Sequence, residues 1–195
     1  MGISESGSRG SMETSAEQLP GSEAMPLEPG ACYVIKEKKP DISYRLFSML
    51  TQKMPGIVIT RQYPDRVRRE RGVVDSRVIW LSHTPGQDYH NPTALGSLAK
   101  LISGFIDENQ GVVMILLDGI EYLSVNNGFL QTLMFVEHVN EFVMQRKAIV
   151  LIPVSPDALE EKELALLERN VEVVESSVLK EHLETREVSR LLDTY

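Results

Sequence analysis

Val112-Val113-Met114-Ile115-Leu116-Leu117 is an uninterrupted apolar run that ends at Asp118. Because no polar residue alternates with the apolar ones, the run predicts a strand that is buried on both faces. Such strands lie in the middle of parallel sheets, where helices cover both sides of the sheet. The run therefore favours an α/β protein, and it places a carboxylate at the end of a central strand.

Four further β-prone runs alternate with segments of helical spacing. These runs lie at residues 32–35, 57–60, 78–81 and 148–152. Helices are predicted after Pro40-Asp41, Asn91-Pro92, Asn126-Asn127-Gly128 and Ser155-Pro156-Asp157, and residues 171–174 are predicted to add a short edge strand. The alternation predicts a three-layer α/β/α sandwich around a mostly parallel, five-stranded sheet. Trp80, at the end of an apolar strand, is predicted to lie in the core.

The composition excludes several classes of protein. The chain has 195 residues, of which 42% are hydrophobic and 25% charged, and its formal net charge is -8. These values are typical of a globular domain and not of collagen-like, disulfide-scaffold or wholly disordered chains. An acidic chain also argues against general nucleic-acid binding, which needs a basic face. Cys32 is the only cysteine, so an internal disulfide is impossible and a reducing cytoplasm is expected.

The chain divides into three segments. Residues 1–26 are rich in Ser, Gly, Glu and Pro, and they predict a disordered tail. Its start is either an expression scar before Met12 or a native terminus, in which Gly2 and Ser6 match the N-myristoylation pattern. Residues 27–174 contain the predicted strands and form the α/β domain.

Residues 175–195 follow as a C-terminal amphipathic helix. Its apolar stripe includes Leu179, Leu183, Leu191 and Leu192. A short helix gains most of its stability by burying such a stripe, either on its own domain or on another chain. The second alternative predicts weak self-association.

Asp118 lies where P-loop ATPases place a carboxylate that helps to hold Mg²⁺. Such enzymes also need a glycine-rich loop, followed by Lys and Ser or Thr, after the first strand. Here the first strand is followed by Lys36-Glu37-Lys38-Lys39-Pro40-Asp41, which contains no glycine. The two carboxylates of this stretch would repel phosphate, and Pro40 has no N–H to donate. These features favour a structural role for Asp118, as an acceptor that caps the next turn through backbone N–H groups.

Several separated motifs between residues 27 and 174 resemble those of one known family. They are Leu27-Glu28-Pro29-Gly30, Tyr33-Val34-Ile35-Lys36-Glu37, Pro55-Gly56-Ile57-Val58-Ile59-Thr60-Arg61, Ile79-Trp80-Leu81-Ser82, Leu117-Asp118-Gly119-Ile120-Glu121-Tyr122-Leu123, Asn126-Asn127-Gly128-Phe129, Pro153-Val154 and Glu161-Lys162-Glu163-Leu164-Ala165-Leu166-Leu167-Glu168. They resemble the archaeal domain-of-unknown-function family DUF835. The resemblance implies a RecA/KaiC-like sheet that has lost its phosphate loop. It also implies the strand order 3-2-4-5-1 for the strands at residues 33, 57, 78, 112 and 148.

The resemblance further implies that the domain works with other domains, because similar domains often occur in archaeal signalling proteins beside sensor or receiver domains. It implies no catalytic residues, because the family has no established activity. The residues themselves agree: the chain shows no nucleophile elbow, and its histidines are too scattered for a metal site. We therefore predict no catalytic residue, no cofactor and no metal ligand.

Eight residues are candidates for contacting a partner: Arg66, Arg68, Arg69, Arg71, Asp118, Glu121, Asn126 and Asn127. The arginines lie in one segment with few opposing acids, and they form either a patch for an acidic partner or a solvated helix face. The two asparagines fall in a predicted loop after the central strand. That loop is either a partner-facing loop or a turn with a helix cap.

We therefore predict a cytoplasmic, non-enzymatic interaction or signalling module on a degenerate ATPase scaffold. Its expected partner is a protein, such as a sensor, a receiver or an ATPase protein, and neither nucleic acid nor membrane insertion is expected. The alternative is a residual nucleotide-binding or nucleotide-hydrolysing domain that uses Asp118 and Glu121.

Overall fold

A computed structural model describes residues 27–184 of the chain. The predicted tail at residues 1–26 lies outside the described residues, as do Leu191 and Leu192 of the C-terminal stripe. Within the described range the chain builds one parallel sheet with helices on both faces.

The sheet has seven strands in the described part of the chain, in the order β4-β3-β2-β5-β6-β1-β7. Their bounds are β1 (Ala31–Lys36), β2 (Gly56–Thr60), β3 (Arg77–Leu81), β4 (Tyr89–His90), β5 (Val113–Asp118), β6 (Ala148–Val154) and β7 (Glu172–Glu175). The inner five strands have the order that the resemblance implied, with β6 between β5 and β1, so this expectation is confirmed. Within residues 27–184 the sheet has seven strands and not five: β7 is the predicted short edge strand, which the structure confirms, and the two-residue β4 at the other edge was not predicted.

Helices cover the two faces of this sheet in two groups. Their bounds are α1 (Asp41–Leu50), α2 (Pro64–Arg71), α3 (Leu95–Glu108), α4 (Ile120–Asn127), α5 (Phe129–Met144), α6 (Glu161–Glu168) and α7 (Ser176–Glu184), with a 3-10 turn at Pro156–Ala158. One buried cluster contains the apolar residues of α1, α2 and α7, and the other contains those of α3, α4, α5 and α6. The fold is therefore the predicted three-layer sandwich.

The central position of β5, with helices on both faces of the sheet, explains why polar and apolar residues do not alternate in its sequence. Met114 and Leu116 belong to the cluster under α1, whereas Ile115 and Leu117 belong to the cluster under α3 and α5. All four side chains are fully buried. Each contributes about 1.5–3 kcal/mol through burial, so both faces of the strand favour apolar residues.

Two predicted helix starts were wrong. The first is Asn91-Pro92, because α3 begins only at Leu95. The Asn91 side chain accepts the N–H of Thr93 at 3.0 Å, and its carbonyl accepts the N–H of Ala94 at 3.0 Å. These bonds close a turn before the helix, which is the alternative that Asn commonly offers its own backbone.

The second wrong start is Ser155-Pro156-Asp157. This stretch forms only a 3-10 turn, and α6 begins at Glu161 after a capping box made by Glu160 and Glu163. In that box the Glu163 carboxylate accepts the backbone N–H of Glu160 at 3.0 Å. The helix therefore starts where acidic side chains satisfy its free N–H groups.

The described part of the C-terminal helix packs on its own domain. Leu179 is fully buried and Leu183 is 7% exposed, and both join the cluster of α1. Among the described residues, no helix is both long and apolar enough to cross a membrane.

Candidate functional site

The N-terminus of α1, separated from the end of β1 by four residues, is occupied by a carboxylate of the same chain. Glu37 accepts the backbone N–H of Ile42 at 3.0 Å and that of Ser43 at 3.1 Å, and it also accepts the Ser43 hydroxyl. Burial raises the pKa of Glu37, although these hydrogen bonds oppose the rise. First-turn N–H groups have no partner within their helix and attract anions. In P-loop enzymes phosphate takes this place, and here Glu37 takes it.

Asp118, at the end of β5, is held by three side-chain donors from other parts of the chain. Its Oδ2 accepts the Tyr44 hydroxyl at 2.8 Å, the Thr60 hydroxyl at 2.9 Å and the Gln62 amide at 3.2 Å. Tyr44 and Thr60 are fully buried or nearly so. Burial raises the pKa of Tyr44, as does the charge of Asp118, so the phenol keeps its proton and donates.

The prediction that Asp118 caps the next turn through backbone N–H groups was therefore wrong, because the groups that donate to it are side chains. The residue next to α4 is Gly119, and Asp118 instead bonds to α1, to the end of β2 and to the segment after β2. These donors lie 56 to 74 positions away in the sequence. Only the order of the strands brings them together.

Glu121, in the first turn of α4, links that helix to the next strand. Its Oε1 accepts the backbone N–H of Ser155 at 2.8 Å, directly after β6. Glu37, Asp118 and Glu121 thus lie at the carboxyl edge of the sheet, and each one accepts hydrogen bonds from the chain itself. Across residues 27–184, no group of three or more His, Cys, Asp or Glu residues is arranged to hold a metal ion.

The four candidate arginines share one helix, α2, which is compatible with both the patch and the solvated-face interpretations. Arg66, Arg68 and Arg69 are 62%, 40% and 73% exposed, whereas Arg71 is 22% exposed. Arg71 pairs with Asp41 and lies 5.0 Å above the centre of the Tyr44 ring, so it ties α2 to α1.

The three exposed arginines are only weakly engaged by their own chain. Arg66 bonds Glu70 at 2.8 Å, Arg68 reaches Asp65 at 3.5 Å, and Arg69 reaches Glu70 at 3.8 Å. Exposed pairs of this kind contribute about 0–1 kcal/mol. These guanidinium groups can therefore exchange their present ion pairs for contacts with a partner at a small cost in free energy.

The candidate asparagines do not lie in a loop, so that prediction was wrong. Asn126 and Asn127 form the last turn of α4, which ends at Gly128 with a positive φ of 83°. Asn127 donates to the Pro92 carbonyl at 2.9 Å and so fixes the segment before α3. Asn126 bonds the exposed His83 ring at 2.8 Å. At least Asn127 therefore has a structural role.

Trp80 is half-buried instead of lying in the core. Its ring is perpendicular to that of Tyr63, with 5.4 Å between the centroids, and its N–H donates to the Arg61 carbonyl at 3.2 Å. Tyr63 is 56% exposed. The two rings line a surface cavity of about 460 Å³ together with Arg68 of α2. The sequence did not indicate this cavity, because its walls come from α2, β3 and the segment before β4, which are separate stretches of the chain.

Comparison with known proteins places this arrangement in a family. The family described as "Protein of unknown function (DUF835)" matches residues 36–171, which is most of the chain and includes all three carboxylates. The chain belongs to the DUF835 family. The resemblance noted in its motifs is thereby confirmed. No curated protein matches this DUF835 chain.

Two solved archaeal structures share the fold of this DUF835 chain. The protein PH0250 from Pyrococcus horikoshii OT3 has a TM-score of 0.56 and 16% identity, covering 76% of this chain and 82% of its own. The flagellar accessory protein FlaH from Methanocaldococcus jannaschii has a TM-score of 0.51 and 13% identity, covering 76% of this chain and 72% of its own. At these identities the likeness shows the fold alone, which is RecA-like.

Proposed function

We propose that this DUF835 chain is a non-catalytic protein-interaction module built on a RecA-like scaffold. One observation carries the proposal: the Glu37 carboxylate occupies the N-terminus of α1. A phosphate group at that place would meet a negative charge and find the N–H groups of Ile42 and Ser43 already bonded. The place where RecA-like enzymes bind the phosphates of a nucleotide is occupied here by the Glu37 carboxylate of the chain itself.

The other acidic residues support the same proposal. Nucleotide hydrolysis through Asp118 and Glu121 would need carboxylates that are free to bind Mg²⁺ or to position water. Here Asp118 already accepts three hydrogen bonds, and Glu121 holds the N–H of Ser155. Recruiting either one would break contacts that join separate elements of the sheet edge.

The partner we propose is a protein with an acidic surface, and its docking site is the exposed face of α2. Arg66, Arg68 and Arg69 supply positive charge there, and Tyr63 and Trp80 lie beside Arg68. Arg, Tyr and Trp are the residue types that contribute most to binding at protein interfaces. We propose a sensor, receiver or ATPase protein of the cytoplasm as this partner.

We expect isothermal titration of the full chain with Mg-ATP to give no binding heat at micromolar concentrations. The reason is that Glu37 keeps phosphate away from the N-terminus of α1. A matched titration of Asp118→Asn serves as the control. Micromolar binding by the unaltered chain that disappears in Asp118→Asn would overturn the proposal and support the nucleotide-binding alternative.

We expect the α2 face to decide which protein the chain captures from a native lysate. Charge reversal at Arg66, Arg68 and Arg69 together should lose a partner that the unaltered chain retains, because the face then repels acidic surfaces. Reversal of the exposed Lys147, directly before β6, is the control for a charge change elsewhere on the surface. Retention of the same proteins by both variants would contradict docking at α2.

A further inference from the structure

Helix α5 presents apolar side chains to solvent on its outer face. Leu130 is 65% exposed and Met134 is 54% exposed, although α5 buries Leu133 and Val136 on its inner face. Leu130 and Met134 lie four residues apart and are therefore neighbours on the helix surface. Covering two adjacent exposed apolar side chains would remove them from water, which favours contact with another surface.

A groove between α5 and α3 begins one helical turn after Met134, at His138. It has a volume of about 270 Å³, and its walls include Ala99 and Ile102 of α3 and Val139 and Phe142 of α5. Gly96 of α3 also lines the groove, and the space around its Cα is open to solvent. The same face thus carries both a projecting apolar ridge and an apolar groove.

This face also carries unpaired charges of both signs. Lys100 stands at the groove, and Glu137 and Glu141 belong to α5. Among residues 27–184, none of these three takes part in an ion pair within 4.0 Å, in contrast to the arginines of α2. A partner that places acids opposite Lys100 and a base opposite Glu137 and Glu141 would complement this face.

We propose that a second copy of this chain is that partner, joined through a two-fold contact between the α3–α5 faces. A two-fold interface uses the same patch twice, so the patch must complement itself. This patch does: Met134 of each copy fills the groove of the other, and Lys100 of each copy meets the acids of the partner's α5. Met suits such a role because its flexible side chain adapts to irregular gaps.

The arrangement leaves the proposed docking helix accessible. Helix α2 belongs to the opposite layer of the sandwich, with α1 and α7, whereas α3 and α5 form the other layer. A dimer through α3 and α5 would therefore present two α2 faces to acidic partners. The inference goes beyond the proposed function and stands without it, because it depends on a different surface.

Sedimentation velocity of the full chain, from micromolar to several hundred micromolar, tests the contact. We expect the unaltered chain to shift from monomer to dimer as concentration rises, and the double variant Leu130→Glu, Met134→Glu to stay monomeric. Val74→Glu is the matched control, because Val74 is 75% exposed and lies on the loop after α2, away from the proposed contact. This variant should dimerise normally. The double variant Leu130→Ser, Met134→Ser repeats the test without added charge.

Charge exchange then tests the symmetry of the contact. Lys100→Glu should weaken dimerisation about tenfold through repulsion from the partner's acids, and adding Glu137→Lys and Glu141→Lys should restore it. The proposal fails if the unaltered chain is monomeric throughout, or if Lys100→Glu changes nothing. It also fails if dimers survive both double variants, a result that would favour self-association through Leu191 and Leu192.

Discussion

Replacing Asp118 with Ala is expected to lower the free energy of unfolding by about 3–5 kcal/mol. The substitution leaves the buried hydroxyls of Tyr44 and Thr60 without their acceptor and also frees the Gln62 amide. Each buried donor that loses its partner costs about 1–3 kcal/mol, and bonds to a charged acceptor are the stronger ones. Urea unfolding followed by far-ultraviolet circular dichroism measures the loss.

Two milder variants show whether hydrogen bonding is the cause. Asp118→Asn keeps an acceptor oxygen and should cost less than Asp118→Ala, and Tyr44→Phe removes a single donor and should cost about 1 kcal/mol. A different result is expected if Asp118 is held ready for a metal ion. Neutralising such a carboxylate often stabilises the fold, because active sites trade stability for function. A gain in stability for Asp118→Asn would therefore contradict the structural role.

The sheet was largely predictable because its signals are local. The run before Asp118 is apolar without alternation, since both faces of β5 are buried, and this property shows in any window of the sequence. The edge strand β4 was not predictable, because a strand formed by Tyr89 and His90 is too short for a pattern. The order of the strands came from the family resemblance and not from periodicity.

The contacts at the sheet edge were less predictable because they join residues far apart in the chain. The sequence showed that Glu37 would repel phosphate, but not that its carboxylate turns back to the first turn of α1. Nor did it show that Asn127 lies in a helix, because Asn-Asn-Gly is typical of turns. Here the helix continues to Asn127, and Gly128 provides the positive φ at which it ends.

Replacing Glu37 with Ala is expected to cost about 2–4 kcal/mol of unfolding free energy. The change removes the acceptor for two first-turn N–H groups, which is equivalent to losing a helix cap at about 0.5–2 kcal/mol. It also leaves the hydroxyl of the fully buried Ser43 without its partner, at about 1–3 kcal/mol. Urea unfolding measures the loss, and Lys39→Ala, an exposed neighbour on the same loop, is the control, expected within about 0.5 kcal/mol of the unaltered chain.

Glu37→Gln separates the hydrogen bonds from the charge. Gln keeps an acceptor for Ser43 and avoids burying a carboxylate, a burial that already raises the pKa of Glu37. Because the Gln amide has only one acceptor oxygen, the Ile42 N–H loses its partner, so we expect Glu37→Gln to cost about 1–2 kcal/mol, below the cost of Glu37→Ala. If Glu37→Ala instead matches Lys39→Ala, the carboxylate contributes nothing at the N-terminus of α1. The observation that carries the proposed function would then fail, because a carboxylate that binds there so weakly would yield the place to phosphate.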